Sequence, residues 1–188
     1  MTTSFATGEP YSGAEIAAEM TRLHAESERY LLGVPAVEFA ALQGEKWSPA
    51  DHVRHLAKST FPLVPALGLP KFLLGLRFGR AAAESRGFAA LRDDYRARLR
   101  ETGATAGRFA PSPRPLPDDL EAWQREVLGS WREAVSGLAA KIPAWSERAL
   151  DLYRLPHPLL GKLTVREMLF FTIYHVQHHH ALVERDTA

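Results

Sequence analysis

Eight histidines stand among 188 residues, and four of them fall between positions 175 and 180. His175 and His179 are four apart, so on a helix their rings lie about 40° from each other and can converge on one ion. Met168, Phe171, Val176, Leu182 and Val183 occupy the same broad side. The pair is therefore set into a core-facing surface, where an unpaired polar ring is costly. Ligation of zinc, nickel or iron would satisfy both rings, and so would hydrogen bonds to carbonyls or carboxylates. His178 and His180 project toward the edges of that face, beside the ligands or at the surface. A second helix carries His52 and His55, either of which can supply a third ligand. Three ligands leave one coordination position open, as catalytic zinc sites do. Periodicity slightly favours His52, which is nearer the stripe of Val53, Leu56 and Ala57. His24 and His157 have no companion at ligand spacing and read as structural.

Three neutral imidazoles leave a divalent ion its full charge, enough to acidify a water or ionise a thiol. Water would make the protein a hydrolase, and a thiol would make it an S-transferase. The chain has no cysteine, which rules out disulfides, thiolate metal sites and a cysteine nucleophile. Thiol chemistry would need a low-molecular-weight thiol as cofactor. His178, His52 and Glu167 are the candidates for proton transfer, and spacing does not choose among them.

Helices must position these groups. Ser12 and Glu15 have capping-box spacing, and Ile16, Met20, Leu23, Leu31 and Leu32 recur at helical intervals until Gly33 and Pro35. Ser48-Pro49 is an N-cap followed by proline at the first helical position, opening a second helix to about Ser59. Beyond it Pro62, Pro65 and Pro70 break or kink the chain. A helix is expected over about 88–101, then loop over 103–117. After Pro117, residues Leu120, Trp123, Val127, Leu128, Trp131, Val135 and Leu138 mark a third long helix, with both tryptophans as core or dimer packing. Residues 143–161 read as connection. Thr164 and Glu167 are a second capping box, opening a final helix that runs to about Glu184. No sustained alternation or Asn-Gly hairpin signal marks a strand. An all-α bundle forming one domain is the expected architecture.

Charge narrows the partners. Lysine plus arginine (23) nearly balance aspartate plus glutamate (22), which argues against general nucleic-acid coating. That balance hides an asymmetry: segment 68–116 holds ten basic residues and four acids, a net of +6, so the rest carries −5. Its arginines suit carboxylates of a substrate or thiol. Arg92, Arg96 and Arg100 also recur every four residues, the pattern of a solvated helix face. The apolar runs over 61–69 and 168–174 are far shorter than the ~20 residues of a membrane span. Residues 1–13 lack the basic and apolar regions of a secretory signal, so a cytoplasmic location with no membrane partner is expected.

Two stretches carry a family resemblance. The run KWSPADHVRHLAKS places a histidine-leucine pair eight residues after its tryptophan, and GKLTVREMLFFTIYHVQHHHALV contains a histidine, three residues and a second histidine. Both resemble helices of the DinB/YfiT-like superfamily. The resemblance implies a four-helix up-down-down-up bundle, often a homodimer; it does not cover 68–116, which then reads as a long basic insertion between helices two and three. It also implies a triad of His55, His175 and His179 around a divalent metal, zinc or nickel foremost, and so replaces His52 by His55. Some members resemble S-transferases using bacillithiol or mycothiol, so a small-molecule substrate is expected. The alternative is a non-catalytic, stress-related bundle that binds metal or a small ligand.

Overall fold

The computed structural model describes residues 7–187 apart from 43 and 45. Helix α1 (Gly13–Leu32) opens on the expected capping box: the Ser12 side chain accepts from the Glu15 amide while the Glu15 carboxylate accepts from the Ser12 amide. A short α2 (Ala36–Ala40) comes next. Helix α3 (Pro49–Thr60) starts at Ser48, whose hydroxyl accepts from the Asp51 amide, with Pro49 at the first helical position where no amide is needed. The prolines then divide the chain into α4 (Leu63–Gly68) and α5 (Lys71–Phe78), each beginning directly after a proline. Helix α6 (Phe88–Thr102) ends at Gly103, whose φ of 58 is a left-handed conformation that glycine adopts at little cost.

A single 3-10 turn over Gly107–Phe109 leads to α7 (Leu120–Ala139), capped by Asp119. Between α7 and the last helix, the structure corrects the expectation of plain connection without strands. It contains a 3-10 turn (Ile142–Ala144), helix α8 (Glu147–Leu152), and an antiparallel hairpin of β1 (Arg154–His157) and β2 (Gly161–Thr164). The strands are four residues long, too short for alternation to register, and their turn uses no Asn-Gly. Instead, His157 Nδ1 accepts the amides of Leu159 and Leu160, and Gly161 takes a φ of 73. Helix α9 (Val165–Thr187) then opens on Thr164 and Glu167, each of whose side chains accepts from the other's amide.

The protein is mainly helical, with this hairpin as its one sheet among the described residues. Helices α1, α3, α7 and α9 meet in a core that includes Ile16, Leu23, Val53, Leu128, Trp131, Leu138, Phe170 and Ile173. Trp123 and Trp131 are both buried there. Segment 68–116 lies against this core: α6 packs on α9 and α5 on β1. Among the described residues no single helix is long and apolar enough to cross a membrane.

A buried cation pins the start of α9. Arg166 is 0% exposed, and its guanidinium grips Asp151 through two bonds of 2.6 and 3.0 Å. It also donates to Glu147 at 2.8 Å and to the Tyr11 carbonyl. One residue thus fastens α9, α8 and the segment before α1.

Candidate metal centre

Helices α3 and α9 bring three imidazoles to one point. The Nε2 atom of His175 lies 3.0 Å from that of His55 and 3.0 Å from that of His179. All three rings are buried, and each can offer one donor atom to a single ion.

The far side of each ring is held by the protein, which fixes what the near side presents. His55 Nδ1 donates to the Phe109 carbonyl at 2.9 Å. A carbonyl only accepts, so that nitrogen carries the proton and His55 Nε2 is a lone pair. The Ser59 hydroxyl donates to Leu56, turning its own lone pair toward His175 Nδ1 at 3.5 Å. That contact favours the proton on His175 Nδ1 and a lone pair on its Nε2. His179 Nδ1 is bonded to His52 Nδ1 at 2.8 Å.

Two lone pairs facing each other at 3.0 Å repel unless a cation lies between them. A proton is a poor candidate. Burial first, and neighbouring imidazoles second, hold His175 and His179 well below the usual histidine value. Burial lowers His55 as well, against the Phe109 bond that raises it. A tetrahedral zinc ion with bonds of ~2.1 Å sets its nitrogen ligands ~3.4 Å apart, close to the spacing seen. The donor set fits a divalent cation, and the bonds to Phe109, Ser59 and His52 are the outer contacts that orient ligating histidines.

Trp47 covers the group, its ring stacked 6.1 Å from His179 and tilted at 5.1 Å from His55. Beyond it opens a cavity of about 660 Å³, with all three ligand candidates in its wall. Segment 68–116 supplies much of the rest, including Leu74, Phe78, Tyr95, Leu99 and Phe109. No carboxylate lines the cavity among the described residues.

The other candidates separate clearly. His178 lines the cavity. His52 stands behind the triad, bonded to His179, and is absent from the cavity wall. Glu167 is turned away: its carboxylate accepts from Arg86 at 2.7 Å and caps α9. His180 is buried, bonded to Ser27 at 2.8 Å, and not at the surface. Of the arginines in 68–116, Arg108 borders the cavity, whereas Arg96 and Arg100 are exposed along α6. Spacing gave no hint of Ser59, Tyr95 or His157, all of which line the cavity.

The neutral histidines have a consequence for acid stability. Burial pushes His157 down to about 4 from 6.5, and burial also lowers His24, where Glu28 opposes it and Arg132 reinforces it. Above pH 6.5 these rings are neutral in both folded and unfolded chains. Below it the unfolded chain takes protons that the native one refuses, so stability falls as pH drops and levels off near pH 4. His157 alone accounts for about 3 kcal/mol of that loss. The urea midpoint should therefore fall on going from about pH 7 to pH 4, and fall less in His157→Asn. A parallel fall in both proteins would remove His157 as a cause.

The family profile of the DinB superfamily matches residues 39–183. No curated protein and no solved structure gives a significant match. The matched span runs from α2 to the last turns of α9 and contains all three convergent histidines, and on that evidence the chain belongs to the DinB superfamily.

Proposed function

We propose that this protein is a metal-dependent enzyme, an S-transferase or a hydrolase, acting on a small and largely apolar molecule. His55, His175 and His179 are its ligands for a divalent metal, zinc or nickel foremost. The reading also takes α1, α3, α7 and α9 as the four helices of an up-down-down-up bundle. The observation that carries it is the convergence of three oriented Nε2 atoms in the wall of a large cavity. A divalent ion there supplies Lewis acidity and a charge that favours the ionised form of a water or thiol.

The remaining chemistry belongs to the chain. Phe109, Ser59 and His52 hold the three rings in the tautomer and direction that ligation needs. Trp47 and the cover built by 68–116 narrow the site and line it with mainly apolar groups, which strengthens the charge interactions inside. With no carboxylate in the wall and Glu167 engaged elsewhere, His178 is the proton carrier. In a chain without cysteine, the nucleophilic sulfur of a transfer reaction is a low-molecular-weight thiol. Arg108, exposed at the cavity's border, is placed to meet a carboxylate of such a thiol.

Untagged protein should retain close to one divalent ion per chain by elemental analysis. It should also transfer bacillithiol or glutathione to an electrophile, or hydrolyse an ester, with loss of the activity in His55→Ala. Protein that retains no metal overturns the reading. Metal without either activity, across a broad electrophile and ester panel, supports the non-catalytic binding alternative.

A further inference from the structure

His157 is 6% exposed and sits at the end of β1, across a ring from the triad. Its Nδ1 accepts two amides of the hairpin turn, from Leu159 at 3.2 Å and Leu160 at 3.0 Å. A nitrogen that accepts carries no proton, so in the neutral ring the proton is on Nε2. That N–H has no hydrogen-bond partner among the described residues. Nor is it one of the interior atoms sealed away without a partner, so it keeps accessible surface in a residue that lines the cavity. The turn alone does not require a histidine. An asparagine or aspartate oxygen at the Nδ1 position would accept the same amides, as in ordinary Asx turns. What imidazole adds is a second nitrogen on the opposite side.

Tyr95 stands next to it, ring centroids 6.0 Å apart, and also lines the cavity. Its hydroxyl has no partner among the described hydrogen bonds, and burial keeps it protonated, pushed up to about 12. Two uncharged donors therefore share one wall, facing surroundings that include Leu63, Leu74, Leu99 and Leu155. Phe171 lies between this wall and the triad, 4.2 Å from the His157 ring and 4.8 Å from that of His175.

We infer that His157 and Tyr95 form a receptor for a neutral carbonyl oxygen on an otherwise apolar substrate. The carbonyl they hold lies one aromatic ring away from the triad, so it anchors the substrate and is not the group that reacts. An uncharged acceptor suits donors that are themselves uncharged in a mainly apolar wall, where an anion would lose hydration without a counter-charge beside it. A substrate lacking the carbonyl would leave both donors unpaired, which is the strongest source of discrimination such a pocket can have. The inference rests on the proposed function only in taking this cavity as the substrate's place.

The probes are 4-phenylacetophenone and its hydrocarbon counterpart 4-isopropenylbiphenyl, titrated by quenching of tryptophan fluorescence. His157→Asn keeps an acceptor for the turn and removes the inward N–H. It should weaken ketone binding about tenfold while leaving the hydrocarbon unchanged, and Tyr95→Phe should do the same to a smaller degree. The carbonyl stretch of the bound ketone should lie lower in wild type than in His157→Asn. Equal changes for ketone and hydrocarbon, an unshifted stretch, or failure of wild type to bind the ketone would overturn the inference. Should His157→Asn not fold, Tyr95→Phe decides by the same two readouts. Metal content measured on the same samples keeps the readings apart: absence of metal defeats the enzyme proposal and leaves ketone selectivity standing or falling by itself.

Discussion

His175→Ala should lose the divalent metal that the proposed site holds, retaining less than about a tenth of the wild-type content after dialysis. His175 is the middle member of the cluster, 3.0 Å from both other Nε2 atoms, and its removal leaves two rings that no longer surround an ion. His175→Gln should lose it equally, which separates ligation from the cavity that alanine creates. His52→Ala should fall between, with roughly 10- to 100-fold weaker binding, because it removes only the bond that orients His179. Added metal should raise the melting temperature of wild type and not that of His175→Ala, since only a native state with the site gains from mass action. Equal metal in wild type and His175→Ala would dispose of the site.

The second large effect lies away from the triad. Arg166→Met should destabilise the fold by about 3–5 kcal/mol, because it strands the Asp151 and Glu147 carboxylates and the Tyr11 and Glu147 carbonyls that the guanidinium now satisfies. For a chain of this length that amounts to a melting temperature lower by roughly 10 °C. Burial would raise the Asp151 carboxyl, but its bonds from Arg166 and Ser85 outweigh that and hold it below the usual carboxylate value. Asp151 therefore contributes stability at neutral pH that is lost as pH falls through its lowered value. Metal content should be unchanged in Arg166→Met, provided the protein is kept below its new midpoint. A loss of less than about 1 kcal/mol would mean that the cluster is no better than a surface ion pair.

The parts that could be read in advance are those decided locally. Both capping boxes and the Ser48-Pro49 start depend on three or four consecutive residues, and each appears as expected. The His175–His179 pair comes from helical repeat alone. Choosing between His52 and His55 does not, because it depends on where α3 crosses α9. Periodicity pointed to His52, and only the family's tryptophan-to-histidine spacing pointed to His55. Glu167 carries a different lesson. The spacing that marked it as a capping residue had already committed its carboxylate to the Thr164 amide, which leaves little freedom for a catalytic base. His157 was illegible because its partners are turn amides and a cavity, neither of which exists until the hairpin forms.

The cover over the triad divides the labour of the chain unequally. Of its residues only Leu74, Phe88 and Leu91, with Ser85, are buried within helices α5 and α6 and the link between them, while most of the core lies in α1, α3, α7 and α9. Leu99 and the Phe109 ring meet the cavity without belonging to that core, whereas Phe78 packs against it. Substitutions there change what the cavity admits at small cost in stability, whereas the histidines and their orienting partners have no such latitude. Selection can therefore retune what the cavity admits along 68–116 while the histidine cluster beneath stays as it is.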